Sequence, residues 1–250
     1  MSEKVRRLFM TVLFVVFCIS AISFGKSFLE YRKGDQIYDA ANAFVVKTDS
    51  PVMAENAEVK EKEIDFSGLH EVNQDIIGWI EIKDTPVNYP LLGADDNRYY
   101  LNRAYDQQRS SYGSIFLEYR NRSDLQDKHL VIYGHNMKNG SMFGSLLEYK
   151  DQNFADNHQT IRIDTPEETF TYQVFSAYTA HVDSPTYRMS FDDEESYHEM
   201  MTYMKDQSII QSASVPDASD QILTLSTCTP EGAKKYRFVV NAFLVENKNG

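Results

Sequence analysis

Cys228 ends the run QILTLSTC, residues 221–228, and is followed at once by Thr229 and Pro230. In a strand, Leu223 and Leu225 would share one face, and Ile222, Thr224, Ser226 and Cys228 the other. If the leucines fill a core, the thiol lies on the more polar, outer face. Proline cannot donate to a β-ladder, so the strand should stop there. That leaves Cys228 at a strand end, where a thiol is both held and reachable. Arg237 opens the next strand-like run, RFVVNAFLVE, and the short connection between the two contains Gly232. Short connections favour antiparallel pairing. Such a hairpin would set Arg237 almost opposite Cys228, with Cβ atoms roughly 4.5–5.5 Å apart. A guanidinium there would favour the thiolate and hold a developing oxyanion. The plainer alternatives are a small buried hydrophobe for Cys228 and a solvated strand-end charge for Arg237.

Thiolate chemistry also needs a group that moves protons. The chain has six histidines. His129 starts a strand-like run, His70 and His198 fall in helical patterns, and His158 lies in a polar loop. His135 follows the apolar run Leu130-Val131-Ile132-Tyr133 and then Gly134, which places it at the end of a buried segment with space beside it. His181 ends another strand-like run and is the runner-up. Spacing alone does not choose between them, because no local rule brings either one to Cys228.

The elements that must position these residues are mostly strands. Eight runs have strand character: residues 79–82, 87–91, 114–119, 129–135, 160–164, 169–181, 221–228 and 237–246. In the sixth, Phe170, Tyr172 and Val174 alternate with Thr169, Thr171 and Gln173, the pattern of a half-buried strand. Helical patterns occur at residues 142–149 and 194–206, and one or two short amphipathic helices are expected within residues 64–79. Eight short strands with few helices predict a closed or nearly closed β-barrel. Hydrophobic residues make up 42% of the 250 residues, enough for a substantial core, and the formal charge of −12 disfavours a nucleic-acid partner.

The N-terminus stands apart. Lys4, Arg6 and Arg7 precede an apolar run at residues 8–24, just long enough to span a bilayer. The positive flank predicts a cytoplasmic N-terminus and an exported remainder. A cleavable signal peptide is the rival reading. Residues 26–63 read as a polar stalk with a Glu/Lys run near residues 55–63. The expected domains are thus an anchor at 1–25, a stalk at 26–63 and a catalytic barrel at 64–250. With Cys18 in the span and Cys228 exported, an intrachain disulfide is implausible, and Cys228 stands as an unpaired thiol in an oxidising compartment.

Taken together, these pieces resemble the sortase family, and class B sortases in particular. TLSTC, Thr224 to Cys228, is similar to the family's nucleophile motif, and YGHNM, Tyr133 to Met137, to the class B histidine motif. Arg237 opens the following strand, as the family arginine does. DIIGWI, VNYPLL, YYL and SIFLEYRN read like class B landmarks, and the resemblance extends over about residues 65–245.

The resemblance implies a closed eight-stranded barrel, mainly β, with added helices. These are N-terminal helices, here residues 64–79, and a helix-bearing insertion before the cysteine strand, here about residues 191–208. It implies a cysteine transpeptidase that cuts a C-terminal sorting signal, NPQTN-like or related, through a thioester on Cys228. His135 would be the acid/base and Arg237 the oxyanion or carbonyl ligand. The acyl group would pass to an amine of peptidoglycan or, in some members, to a pilin lysine. No cofactor is implied, and the calcium dependence of some class A members is not carried over. Tyr133, Ser226 and Thr229 are candidates for the substrate groove. The competing functions are a secreted cysteine peptidase that releases product to water and a non-catalytic surface-binding module on a membrane stalk.

Overall fold

The computed structural model describes residues 3–47, 62–229 and 235–249. Helix α1 (Glu3–Ala41) leads through a short 3-10 turn (Asn42–Phe44) into a two-stranded antiparallel ribbon, β1 (Val45–Lys47) with β2 (Lys62–Ile64). Helix α2 (Phe66–Val72) follows, its N-terminus capped by the Asp65 side chain on the Gly68 amide at 2.9 Å. The barrel strands are then β3 (Ile76–Glu81), β4 (Asn88–Leu92), β5 (Ile115–Leu117), β6 (His129–Tyr133), β7 (Thr160–Asp164), β8 (Glu168–His181), β9 (Ile222–Cys228) and β10 (Tyr236–Asn249). Helix α3 (Gln152–Asn157) precedes β7, and α4 (Glu194–Asp206) lies between β8 and β9.

These eight strands close into one barrel in the order β10-β8-β7-β3-β4-β5-β6-β9. Closure removes the unpaired edges that an open sheet would expose. Two junctions are parallel, β4 with β5 and β6 with β9; the other pairings are antiparallel. Parallel neighbours need a long crossover. The one joining β6 to β9 takes up everything from Gly134 to Gln221, including β7, β8 and α4.

The barrel interior is filled by Ile80, Leu91, Ile115, Leu130, Ile132, Ile163, Phe170, Tyr172, Leu223, Leu225, Phe238 and Val240, all buried. Trp79, next to Ile80 in β3, is buried on the outer face, where its indole donates to Asn88 at 2.8 Å. A second apolar layer lies outside it. Tyr197, Met200, Met201 and Met204 of α4 pack on Phe175, Tyr178, Ala180, Ile222 and Val239 of the barrel wall. This explains the burial along β8. Its first half alternates as expected, but from Val174 to Tyr178 every residue is buried, because α4 covers the far face. It also corrects the expectation for β9. The face bearing Thr224 and Ser226 is external to the barrel yet buried, and at Cys228 the strand emerges to half-exposure.

Further expectations are refined. Residues 76–79 belong to β3 rather than to a helix: α2 stops at Val72, and Ile76, Trp79 and Ile80 are fully buried in the barrel. The helical pattern at residues 142–149 is realised as a 3-10 helix (Gly144–Lys150). The region read as a stalk is helical to Ala41, and its last three turns pack on the barrel through Tyr31, Ile37, Tyr38 and Ala41. Most of the Glu/Lys run, with Pro230 and Gly232, lies outside the described residues. The apolar half of α1 is exposed along Phe9, Leu13, Phe14, Phe17 and Ile22. Among the described residues, α1 is the one helix long and apolar enough to cross a membrane.

Candidate active site

Cys228 is the last residue of β9 and Arg237 the second of β10, and the antiparallel ladder sets them directly opposite each other. On its other side Arg237 is paired with Ala180 of β8, so it belongs to a central strand and not to a free edge. Its side chain is half-buried, and one guanidinium nitrogen donates to the Tyr236 carbonyl at 2.9 Å.

His135 reaches the same place by the parallel junction. Tyr133 is paired with Ser226 where β6 runs beside β9. Two residues further along each strand come His135 and Cys228. The strand ends are tied together: the Gly134 amide donates to the Ser226 carbonyl at 3.2 Å, and the Thr227 hydroxyl to the Gly134 carbonyl at 2.8 Å. Asn136 Nδ2 donates to the Cys228 carbonyl at 2.7 Å, which fixes the backbone at the thiol. His135 Nε2 lies 2.6 Å from the Leu101 carbonyl. A carbonyl only accepts, so this contact places a proton on Nε2 and orients the ring.

His181 goes elsewhere. It pairs with Tyr236 in the ladder, its ring is edge-on to Tyr236 at 5.3 Å, and Nδ1 is 3.6 Å from the Asp183 carboxylate.

A groove of about 350 Å³ brings His135, Cys228 and Arg237 together. Its walls include Asn97, Leu101, Glu118, Arg120, Tyr133, Tyr187 and Ser226. Of the three groove candidates, Tyr133 and Ser226 line it. Thr229 is buried outside that lining, and its hydroxyl has no hydrogen-bond partner among the described residues. A larger cavity of about 610 Å³ lies beyond Glu118 and contains none of the three central residues.

The groove floor is polarised. Glu118 is fully buried and receives Arg120 Nε at 2.7 Å, Asn97 Nδ2 at 2.6 Å and the Tyr133 hydroxyl at 2.9 Å. Burial opposes its ionisation, but these three donors outweigh it and hold the carboxyl below its usual range. Burial, reinforced by the Glu118 charge, pushes the Tyr133 phenol well up, so Tyr133 stays a neutral donor. Tyr187 bonds the Ser226 hydroxyl at 2.9 Å, and burial pushes its phenol up to about 12. Glu118, Asn97, Arg120, Tyr187 and the Leu101 carbonyl carry no signature that sequence reasoning could use. They converge only through the parallel junctions and the crossover. YYL and SIFLEYRN held three of them, without a rule giving each a task.

Comparisons with known proteins bear on the family and the fold. The sortase domain model matches residues 80–245. Sortase B of Listeria monocytogenes is 34% identical over 231 residues, 92% of each chain. Among solved structures, the sortase B of Bacillus anthracis superposes with a TM-score of 0.75 at 34% identity, over 88% of this chain and 99% of that one. A Staphylococcus aureus sortase B–substrate complex gives a TM-score of 0.69 at 32% identity, over 73% and 85%.

Proposed function

The chain belongs to the sortase family of cysteine transpeptidases, with class B members as its relatives, and on that premise we propose that it cuts a C-terminal sorting signal through Cys228 and passes the acyl group to a cell-wall amine. The observation that carries this reading is the double register. Arg237 faces Cys228 across one ladder, and the Tyr133–Ser226 pair aligns His135 with Cys228 across the other. The relative solved as a substrate complex supports taking the groove as the seat of the sorting signal.

In this reading the Cys228 thiolate attacks the scissile carbonyl, and Arg237 holds the oxyanion that forms. The tetrahedral intermediate collapses with cleavage of the C–N bond, and His135, as imidazolium, gives its proton to the departing amine. A Cys228 thioester remains. An incoming amine then attacks it, passes its proton to the now neutral His135, and expels the thiolate as the new amide forms. Protons and electrons balance over the cycle, so the step needs no oxidant or reductant.

The apolar half of α1 would anchor the chain with its basic end inside, leaving the barrel on the outer face of the membrane.

The test is to incubate the full chain with NPQTN-type peptides, trap Cys228 by mass spectrometry, and add a primary amine. An acyl mass on Cys228 that is discharged faster by amine is expected. Discharge at a rate indifferent to amine would make the protein a peptidase. No adduct with any member of a peptide library, together with no alkylation of Cys228 at neutral pH, would make it a binding module.

A further inference from the structure

We propose that the end of α1, through Asp35 and Tyr38, is a positioning element for His135, so that the helix carrying the membrane anchor also sets the active site. The inference rests on the reading of His135 as the acid/base.

Tyr38 is buried, and its ring lies among three other tyrosines: Tyr89 at 5.2 Å, Tyr105 at 5.9 Å and Tyr112 at 6.3 Å between centroids. Its hydroxyl donates to the Gly113 carbonyl and lies 3.4 Å from the Ser114 hydroxyl. Gly113 is the residue against which the His135 ring rests. Its φ is +58°, and a methyl group there would sit 2.8 Å from His135 Cδ2 and 2.7 Å from the Leu101 carbonyl oxygen. The same Leu101 oxygen accepts from His135 Nε2. The turn containing Gly113 is strapped to the segment that presents Leu101: the Ser114 amide donates to the Tyr100 carbonyl at 2.9 Å, and the Ser114 hydroxyl to the Arg103 carbonyl at 2.8 Å. Tyr38 therefore holds the turn that forms the floor under the histidine, and that turn is strapped through Ser114 to the segment that supplies the histidine's carbonyl partner.

A second route leads to the far side of His135. The Tyr112 hydroxyl donates to Asp35 at 2.6 Å and accepts from Asn139 Nδ2 at 2.8 Å. Asn139 lies in the loop that leaves His135. The Tyr89 hydroxyl, under the Tyr38 ring, accepts from the Met142 amide at 3.0 Å, and Met142 is bridged to Asn136, which holds the Cys228 carbonyl. Both flanks of the histidine thus rest on one helix. At 1.5 Å per residue, Tyr38 lies roughly 21 Å along α1 from Phe24, the end of the apolar run.

The test uses the full chain in detergent micelles, in a Cys18→Ser background so that Cys228 is the sole thiol. The rate of Cys228 alkylation by iodoacetamide is followed against pH, together with the thermal midpoint. Tyr38→Phe keeps the ring and removes only the hydroxyl; Asp35→Ala changes an exposed side chain and serves if Tyr38→Phe does not fold. Each is expected to slow alkylation about threefold near neutrality and less at high pH, as the His135 ring loses its place beside Cys228. In a His135→Ala background neither should have any effect. An unchanged profile in both variants would overturn the proposal, as would the same shift with and without His135. If His135→Ala alone leaves the wild-type profile, the assignment of His135 fails first, whatever Tyr38 does.

Discussion

Tyr133 and Ser226 are partners in a parallel pair, and that pairing brings His135 beside Cys228 although they stand 93 positions apart in the chain. The proposed chemistry depends on this junction more than on any contact made by the three side chains themselves. Cys228→Ala should therefore abolish cleavage and leave the fold unchanged, because Cys228 is only partly buried at the end of β9 and belongs to neither buried apolar cluster. The checks are turnover of a sorting peptide and the thermal midpoint. Cleavage above a few per cent of wild type would remove Cys228 from the nucleophile role.

His135→Ala should lower turnover by about 100- to 10,000-fold, the usual range for a positioned acid/base. His181→Ala should change it by less than about threefold, since its ring lies against Tyr236 and Asp183 outside the groove lining. The opposite ranking in a steady-state assay would reverse the assignment.

His129 predicts a stability change with pH that is separate from activity. Its Nδ1 meets the Arg188 carbonyl at 2.8 Å and its Nε2 the Thr224 hydroxyl at 2.9 Å, beneath the insertion that carries α4. Burial lowers its pKa from 6.5 to about 4, against a smaller opposing effect of the Arg188 carbonyl. The unfolded chain takes up this proton near pH 6.5, whereas the folded one does so only near pH 4. The stability of the neutral, buried form is thus fully present above about pH 6.5 and is lost as pH falls toward 4, by on the order of 3 kcal/mol. Urea midpoints measured across that window should slope for wild type and flatten for His129→Gln. Glu118 acts lower: its depressed pKa contributes stability above 4.5 that is lost as pH falls below it. A wild-type midpoint that stays level from pH 6.5 to 5 would contradict the His129 account.

Truncation should locate the start of the folded unit. Removing residues 1–25 leaves the packed end of α1 intact and should leave the thermal midpoint nearly unchanged. Removing residues 1–64 takes away Ile37, Tyr38 and Ala41 and uncovers Tyr89 and Tyr112. At about 1.5–3 kcal/mol for each large buried side chain, the loss should be on the order of 5 kcal/mol. A shorter chain as stable and active as the longer one would place the boundary at residue 64 after all.

Much of the barrel was legible because its strands announce themselves locally. Residues 160–164 and 194–206 fall at the same limits in sequence and structure, and the Cys228–Arg237 pairing followed from a short connection. The parallel β6–β9 junction was not legible, since its crossover is long and no turn chemistry encodes it. The second core under α4 was hidden for a related reason. Thr224 and Ser226 look like solvent-facing positions, but the Thr224 hydroxyl lies within hydrogen-bond distance of His129 and Asn241, and the Ser226 hydroxyl bonds Tyr187. In the same way Tyr38, in a polar stretch, gives no sign in sequence of the tyrosine cluster it joins.

Arg237→Lys should separate geometry from charge. Arg237 is half-buried between Cys228 and Ala180, and its charge favours ionisation of the Tyr187 phenol, which lines the same groove. A lysine would keep a positive charge near Cys228 but lose the planar fork that can aim two donors at one oxygen. Lysine keeps the positive charge and most of the aliphatic stem that packs in the half-buried position, so the thermal midpoint should move by only a few degrees. Loss of an oxyanion donor, in contrast, typically costs about 100- to 1,000-fold in rate, or roughly 3–4 kcal/mol of barrier. A lysine that retains part of the electrostatic effect should still lower turnover at least about tenfold. The thioester-forming step, followed by mass spectrometry in single turnover, should slow along with overall turnover, because the oxyanion forms in both half-reactions. Wild-type rates for Arg237→Lys would reduce Arg237 to a general positive charge. Wild-type rates for Arg237→Ala as well would remove it from the chemistry and leave Cys228 and His135 as a dyad.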